Sequence, residues 1–576
     1  MTSTTDPKPP SQAPEMDPAG RLATLLRAAD ELAHRNELQA ALQRYGSVLA
    51  AVPAHPHALL GAAFVLYSSE NLTLASKYLR RALAAAPAVA GAWTLMASLR
   101  RKWAETAGAA IAAWRAVALD PGSVPRLAAL GEALIGAYEA DPKAAGGFAL
   151  YEKALAFLDR ANALDPNAVN QVLMAGYHVA IGDLDGALSY YDAYCRKSGL
   201  LDDRGGPEAY RLVPRATAQA IGHTAALDVY VKMRTLGWRP PHEMKLVAAQ
   251  GYVANRHYVD YWRPYVTIVD DPAEIALLEA SRQPSDCAIG GLVVRGKTGL
   301  LSKMAAAAHA QWEREGRPPL LQVSEEDRKR GRSVLRAWGM GDEDWFVGLH
   351  VRESGFHESG GRADPHIHRN ASIASFDAAI DNILARGGWI IRLGDPSMTP
   401  IRPRDRVIDY ALGSKKSEWM DVFLCGSCRF FLGGASGLQL VPYTFGVPCA
   451  VANASPMGQR PVASADIFVP KLYWSKRETR QLTFAESTAP PLGHTSQVGV
   501  FEARGIELIE NTPEDIAALV EEMLDRLEGT LAYTEEDERL QAQFRTETGP
   551  HSAWGTNSRI GRSFLRRHAN LLKVHT

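Results

Sequence analysis

The sequence predicts two architectures in one chain, a helical repeat array followed by an α/β region. Three prolines at a constant spacing indicate the array, because Pro53, Pro87 and Pro121 stand 34 residues apart and each follows an alanine-rich segment. Short apolar runs that alternate with helical segments from Trp345 onward indicate parallel strands with helical crossovers. The pattern changes at residues 238–241, Trp-Arg-Pro-Pro, so we expect the array to precede this segment.

The 34-residue period is typical of tetratricopeptide repeats. A fourth unit ends at Pro166 after an insertion around residues 139–147, and the turn at 182–186 begins a fifth. We therefore expect a solenoid over residues 20–236, whose concave side holds an extended peptide or a partner protein. An architectural role, such as self-association into a homo-oligomer, is the alternative. Small or apolar residues recur where paired helices must meet: Ala41, Tyr45, Ala63, Ala75, Ala82, Trp93, Ala97 and Ala109.

Composition limits what the chain can bind. With 576 residues, 46% of them apolar, and a net charge of −1, it has no global basic field that would attract nucleic acid or anionic lipid. The sequence contains no run of eighteen apolar residues, so it does not predict a membrane span. Residues 1–19 lack a basic segment followed by an apolar one, so we expect a disordered lead rather than a signal peptide, and a cytoplasmic protein.

Two local motifs have simple structural explanations. Cys425 and Cys428 form a Cys-x-x-Cys pair between a helix and an apolar run, where buried packing is favoured over redox chemistry, and a second pair for zinc is missing. Gly-Lys-Thr at 296–298 follows a predicted strand, but the glycine at 291 does not have the spacing of a phosphate loop.

The α/β region supplies candidate anion ligands at strand ends. Arg352 closes the apolar run that begins at Trp345, and a guanidinium fork matches phosphate oxygens. Pairing with a carboxylate such as Glu353 is the alternative. The glycine-rich turn at 433–437 is expected to begin a helix that extends through Phe445, and the free amides of this helix would face an anion. The alternative is that the glycines are needed only for steric reasons in a tight turn. Asn453 either completes the polar lining or caps a turn. Predicted strands cover 345–350, 389–393, 406–409, 429–432, 449–452, 467–469 and 506–509.

Three segments carry a resemblance to a known family. They are Gly-Leu-His-Val-Arg at 348–352, Trp-Ile-Ile-Arg-Leu-Gly-Asp at 389–395, and Phe-Phe-Leu-Gly-Gly-Ala-Ser-Gly at 430–437 with Phe-Gly-Val-Pro at 445–448. Together they resemble the nucleotide half of GT-B glycosyltransferases. More narrowly, they are similar to a bacterial family of glycosyltransferases related to the O-fucosyltransferases. The resemblance covers residues 345–530 well and 240–340 poorly.

The resemblance implies a fold and a set of roles. Residues 237–343 and 344–530 would form a GT-B-like pair of Rossmann-type domains, followed by a helical tail at 531–576. Arg352 would steady the leaving diphosphate, a role otherwise taken by a metal, so no metal is required. His350 would orient the pocket, and the general base is left open among Glu353, His357 and Asp364. The implied donor-binding residues, besides Arg352, are Gly394, Asp395, Gly434, Ser436, Gly437 and Asn453, with Asp409 as an alternative to Asp395.

Three functions follow from these observations. The first is a glycosyltransferase that moves a sugar from a nucleotide-sugar donor to a protein or glycan acceptor recruited by the repeats. The second is a noncatalytic repeat scaffold with a degenerate nucleotide-binding domain. The third is a metal-assisted phosphate hydrolase, suggested by His357, His366 and His368 beside Asp364.

Overall fold

The computed structural model describes residues 17–141, 147–167, 169–202, 210–213, 215–280, 287–288, 291–355, 364–555 and 557–573. These residues form two compact units, Met1–Val169 and Asn170–Thr576. In the described part of the chain, no helix has both the length and the apolar character needed to cross a bilayer.

The first unit is a solenoid of paired helices, as predicted. Alanines at the predicted contact positions are buried between neighbouring helices, including Ala41, Ala75 and Ala109, each at most 1% exposed. Asn71 begins one helix by accepting a hydrogen bond from the backbone N–H of Leu74. The helices described in this unit are Pro18–His34, Leu38–Ala51, Pro56–Ser68, Leu72–Ala85, Ala90–Lys102, Thr106–Leu119, Val124–Ala140 and Gly147–Leu164.

The insertion in the fourth repeat lengthens its helices. Val124–Ala140 has 17 residues and Gly147–Leu164 has 18, whereas the preceding pair has 13 and 14. The fifth pair, Gln171–Ile181 and Leu184–Lys197, begins the second unit, with Gly182 at φ 81° in the turn between its helices. Helical pairing thus continues where the sequence predicts it.

The solenoid ends earlier than the predicted residue 236. Strand β1, Tyr210–Val213, lies within that range and pairs in parallel with β2, Glu243–Val247, which in turn pairs with β3, Thr267–Val269. The β-branched run at 265–269 therefore belongs to a sheet that also recruits residues from before the Trp-Arg-Pro-Pro segment. Shorter helices connect these strands: Ala216–Gln219, Ile221–Thr224, Ala226–Thr235, Arg256–Asp260 and Pro272–Ala280.

A separate hairpin accounts for the Gly-Lys-Thr motif. Gly291–Val294 and Lys297–Leu300 are antiparallel strands, β5 and β6, joined by Arg295 and Gly296, which both have positive φ. β5 also pairs with β4, Cys287–Ala288. The motif is a hairpin turn and not a phosphate loop, as the glycine spacing predicted.

The second half of this unit contains a seven-stranded parallel sheet in the order β16-β12-β11-β10-β7-β8-β9. Strand β7, which lies beside the central strand β10, is buried along its whole length, as expected of a parallel sheet covered on both faces. The helices Asp377–Ala385 and Pro513–Glu528 pack together, as do Glu325–Ala337 and Glu418–Ser427. The strands are β7 Phe346–His350, β8 Trp389–Arg392, β9 Val407–Ile408, β10 Phe430–Gly433, β11 Cys449–Ala454, β12 Ile467–Pro470 and β16 Arg559–Ile560.

Two segments differ from the predicted topology. Ile506–Ile509, predicted for the parallel sheet, is strand β15 of a small antiparallel sheet with β13, Leu472–Ser475, and β14, Arg480–Gln481. The predicted tail after residue 530 contributes the edge strand β16, so it is part of the α/β domain. The remaining helices are Leu301–Arg314, Leu440–Thr444, Phe484–Thr488, Val498–Arg504, Glu535–Thr548 and Arg562–Arg567.

The Cys-x-x-Cys pair is a packing feature. Cys425 and Cys428 are free thiols, both buried, and burial raises the pKa of each, that of Cys428 to about 12. A thiol with a raised pKa is a poor nucleophile and a poor metal ligand. The prediction of buried structural cysteines is confirmed.

Candidate functional site

The strand order places a topological switch point between β7 and β10. The chain proceeds from β7 outward through β8 to β9, then returns to the other side of β7 and builds β10, β11 and β12 in turn. His350 and Gly433, the last residues of the two central strands, are paired in register. Ligands of open α/β sheets bind outside the carboxyl ends of the strands at such a point. The two predicted halves of the anion site therefore share one sheet edge.

His350 is buried at this edge in a defined tautomer. Its Nδ1 lies 3.2 Å from the carbonyl oxygen of Leu393, so Nδ1 must carry the proton that is donated. Burial lowers the pKa of His350 to about 4, and the imidazole is neutral at physiological pH. In the described part of the chain Nε2 has no hydrogen-bond partner, which leaves a lone pair available to a ligand hydroxyl.

Arg352 is not free to receive an anion in this conformation. Its two terminal nitrogens donate to the two carboxylate oxygens of Asp364 at 2.8 and 2.9 Å, a bidentate ion pair. The side chain of Arg352 is 12% exposed and that of Asp364 is 2% exposed. The expectation of an open guanidinium fork is therefore wrong for this conformation, and the carboxylate partner is Asp364 rather than Glu353.

The ion pair anchors a loop, residues 364–371, across the strand ends. Arg352 also donates to the side-chain oxygen of Asn370, and its carbonyl accepts from the backbone N–H of Ala371 at 3.1 Å. From β12, the Nζ of Lys471 donates to the carbonyl of Asn370 at 2.6 Å. Burial lowers the pKa of Lys471, whose side chain is 4% exposed. The extensions of two strands, β7 and β12, thus hold the loop in place.

The same loop brings a second arginine to the edge. Arg369 has a buried Nε atom without a hydrogen-bond partner, and no carboxylate in the described residues forms an ion pair with its guanidinium. Burial, reinforced by the positive charge of Arg352, lowers the pKa of Arg369 to about 10. Two guanidinium groups are therefore close enough to interact while Asp364 neutralises one charge. The excess positive charge is a feature that an anionic ligand would stabilise.

The glycine-rich turn contributes less than predicted. The helix after it spans Leu440–Thr444 and does not begin at the turn, so no long helix directs its amino terminus at the edge. The N–H of Gly434 donates to the carbonyl of His350 at 3.3 Å, and the Oγ of Ser436 accepts from the N–H of Gln439.

Gly437 instead contacts a segment that follows β1, the first strand of the three-stranded parallel sheet. A Cβ on Gly222, in the segment after β1, would lie 2.5 Å from the Cα of Gly437. The segments that follow β1 and β10 therefore touch backbone to backbone. This contact joins the helix Ile221–Thr224, which follows β1, to the glycine-rich turn that follows β10.

The remaining predicted residues at β7 and β8 stabilise turns. Glu353 accepts a hydrogen bond from the N–H of Thr399 at 2.7 Å, and Asp395 accepts from the N–H of Ser397 at 2.8 Å. Gly394, at φ 148°, packs so closely on His350 that a Cβ would lie 3.3 Å from Nδ1. These three residues surround the edge, and the geometry gives the two carboxylates a structural function.

Asn453 and Asp409 are also structurally engaged. Asn453 is fully buried with φ 53°, and it exchanges side-chain to backbone hydrogen bonds with Asn511 at 2.6 and 2.7 Å. This is the turn-capping alternative, not a site lining. Asp409 accepts from the buried Arg392 at 3.2 Å and from the N–H of Ile401 at 3.0 Å.

The histidine-rich segment forms no metal site among the described residues, where no group of three or more His, Cys, Asp or Glu side chains converges. His357 lies outside the described residues. His366 donates from Nδ1 to the carbonyl of Ser496 at 2.6 Å, and the ring of His368 lies 5.4 Å from that of Phe501.

Sequence analysis missed Arg369 and Lys471. Lys471 could have been found, because it lies two residues after the predicted strand at 467–469, and the strand-end argument used for Arg352 applies to it. Arg369 gives no such signal, since it lies 17 residues beyond Arg352 in the chain and reaches the edge only through the fold of the loop.

Comparison with known proteins identifies the repeats. Residues 32–99 match the tetratricopeptide repeat family model. The crystal structure of MamA is 18% identical, covering 34% of this chain and 98% of that chain with a TM-score of 0.26. A thermophilic repeat protein of Thermus thermophilus is 20% identical over 31% of this chain and 92% of its own, with a TM-score of 0.25.

A third solved structure is YrrB, described as a repeat protein with an unusual peptide-binding site. It is 20% identical and covers 30% of this chain and 84% of its own, with a TM-score of 0.25. No curated protein matches the chain at a significant level. The N-terminal part of the chain therefore carries tetratricopeptide repeats, which suggest protein partners, and the second unit contains an α/β fold with a seven-stranded parallel sheet.

Proposed function

We propose that the chain is a glycosyltransferase that moves a sugar from a nucleotide-sugar donor to a protein or glycan acceptor recruited by the repeats. The observation that carries this proposal is the excess positive charge at the switch point between β7 and β10. Arg369 has no ionic partner in the described residues, and it lies beside an Arg352 that is already paired. A diphosphate would supply the negative charge that balances the guanidinium groups at this edge.

The second support is a backbone contact between two segments of the α/β region. Contact between Gly222 and Gly437 joins the segments after β1 and β10, so a ligand at the switch point would lie between two α/β halves. A nucleotide sugar offers a diphosphate to one half and a sugar to the other. The resemblance of residues 345–530 to GT-B enzymes agrees with this division of labour.

The chemistry follows from charge. When the bond between the anomeric carbon and the donor phosphate breaks, negative charge builds up on the departing diphosphate. Arg369, joined by Arg352 once its fork is released, would stabilise that charge without a metal ion. His350, neutral with Nδ1 protonated, would accept a hydrogen bond from a donor hydroxyl at Nε2. Its pKa of about 4 makes it a weak base, so we assign it orientation rather than proton abstraction.

The test is donor turnover by the full chain. We expect release of a nucleoside diphosphate from at least one member of a panel of nucleotide sugars, measured with and without chelator. Arg369→Ala should lower the rate about 100-fold, as loss of one charge-stabilising donor does in other enzymes. Arg539→Ala is the matched control and should keep the rate, because Arg539 is exposed and forms an ion pair with Glu536, away from the proposed site.

Two outcomes would reject the proposal. Absence of turnover across the panel, in the presence of cell extract as a source of acceptors, would favour the repeat scaffold with a degenerate α/β domain. Turnover that requires a divalent metal and releases inorganic phosphate would favour the phosphate hydrolase. The scaffold is the second candidate because the repeat match alone suggests protein binding.

A further inference from the structure

A second concave surface lies at the opposite edge of the parallel sheet. Its cavity has a volume of about 460 Å³ and is bordered by the starts of β7 and β10, at Phe346 and Arg429. Because β7 is five residues long, this cavity is roughly 17 Å from the switch point. None of the residues in the proposed donor site contributes to it.

Four arginines line this cavity. Arg328, Arg332 and Arg336 follow each other at intervals of four residues on the helix Glu325–Ala337, and Arg429, the residue before β10, also lines the cavity. Like charges four residues apart on one helical face repel each other, by about 0.2 to 0.5 kcal/mol per pair. The lining also contains Asp342 and Asp344, so the cavity carries a net positive charge.

Two of the arginines have structural roles. Arg336 forms an exposed ion pair with Asp342 at 2.7 Å. Arg429 stacks on the ring of Trp345 at 4.4 Å and follows the carboxyl end of the helix Glu418–Ser427, where a cation is favourable. Their charges are therefore largely accounted for by the protein itself.

The other two arginines have no such role. Arg328 donates only to the carbonyl of Val323 at 3.2 Å, and Arg332 forms no ion pair within the described residues. Neither lies at a helix carboxyl end, so neither neutralises the helix dipole. The carboxylate of Asp344 is occupied by the N–H of Gly341 and the indole N–H of Trp389. Two exposed guanidinium groups that form no ion pair among the described residues thus line a cavity of ligand size.

We propose that this cavity is a second anion site, which binds a small organic phosphate with two or more negative charges. Guanidinium forks bind phosphate oxygens in pairs, and a concave cationic surface concentrates such ligands from solution. The apolar floor formed by Leu335, Met340 and Phe346 offers contact to an organic portion. The site does not depend on the proposed sugar transfer.

The experiment is calorimetric titration of the full chain with inorganic pyrophosphate, with inorganic triphosphate and with a nucleoside triphosphate, at about 150 mM salt to screen nonspecific charge. Arg328→Ala combined with Arg332→Ala should weaken binding at this site at least about tenfold. The matched control combines Lys329→Ala with Arg539→Ala, because both residues are exposed cations that lie outside the cavity lining. Arg369→Ala reports separately on the donor site.

Each outcome has a defined meaning. Loss of one binding event in the Arg328 and Arg332 variant, with the control unchanged, supports the second site. Equal weakening in both double variants would show a response to net charge only and would overturn the proposal, as would unchanged binding in both. Loss in Arg369→Ala bears on the donor site alone, so the two proposals can fail independently. A stronger response to the nucleoside triphosphate than to inorganic triphosphate, which has the same number of phosphates, would support an organic portion in the cavity.

Discussion

At the scale of single residues, the central finding is that Asp364 occupies the fork of Arg352. The sequence predicts Asp364 as a candidate general base, yet both of its carboxylate oxygens accept from Arg352. A carboxylate is a close mimic of a phosphate group in charge and in hydrogen-bond geometry. We infer that Asp364 competes with a donor diphosphate for the same guanidinium.

This competition predicts opposite effects on stability and on binding. Asp364→Asn removes a largely buried ion-pair partner, so the midpoint of thermal unfolding should fall, at a cost of roughly 3 kcal/mol. Pyrophosphate should bind several-fold more tightly, since Arg352 becomes available. Titration in the Arg328→Ala and Arg332→Ala background isolates the site, with Asp185→Asn as an exposed control of the same charge change. Weaker pyrophosphate binding would show that Asp364 positions Arg352 for the ligand instead.

The residues found and missed at the site follow one physical rule. A charged or small residue directly after an apolar strand must lie at the sheet edge, which is why His350, Arg352 and Gly434 could be placed from sequence. The partners of these residues could not, because ion pairing across a loop depends on how the loop folds back. Asp364 and Arg369 are both on that loop.

At the scale of elements, strand positions were predictable where a parallel strand is short, apolar and buried on both faces, as in β7 and β10. Direction was not. Ile506–Ile509 has the apolar character of a parallel strand, but it pairs antiparallel with Leu472–Ser475. The helix predicted to begin at the glycine-rich turn is wrong because glycines permit such a turn without requiring a helix after it. The hydrophobic pattern determines which residues of a segment are buried, whereas the pairing of a strand depends on partners that are distant in the sequence.

Helix packing in the second unit predicts that replacing two helical glycines by alanine changes the free energy of unfolding in opposite directions. Gly331 lets the helix Glu325–Ala337 approach Phe423, since a Cβ there would lie 2.2 Å from the ring. Gly331→Ala should therefore destabilise by roughly 2 kcal/mol. Gly176, in the helix Gln171–Ile181, has open space where a Cβ would stand, with nothing within 4 Å, so Gly176→Ala should stabilise by about 1 kcal/mol. Urea unfolding measures both, and equal signs would contradict the packing argument.

At the scale of the whole molecule, the boundary between repeats and α/β fold was the least predictable feature. The repeat period located the solenoid because each helix pair contacts mainly its neighbours. Its end was misplaced because β1 is four residues long and lies in a segment that resembles a repeat connection. The edge strand β16 has two residues and gives no recognisable pattern. Short strands are added to a sheet by their neighbours and not by their own sequence.

Buried histidines make global stability depend on pH. Burial lowers the pKa of His350, His366 and His494 to about 4 each, whereas an unfolded chain titrates near 6.5. Between these values the unfolded state binds more protons, so stability is complete above pH 6.5 and decreases as pH falls towards 4. Asp466 acts in the opposite direction, because burial raises its pKa to about 7 and its protonation favours the folded state as pH falls.

Three histidines should outweigh one aspartate, so the melting temperature should fall between pH 6.5 and 4.5. His494→Gln removes one destabilising protonation, worth up to roughly 3 kcal/mol, and should flatten the profile. Asp466→Asn removes the opposing group and should steepen it. Calorimetric melting at half-unit pH intervals measures the three slopes on the full chain. A slope that is the same in both variants and in the parent chain would show that these buried groups do not control the acid sensitivity of the fold.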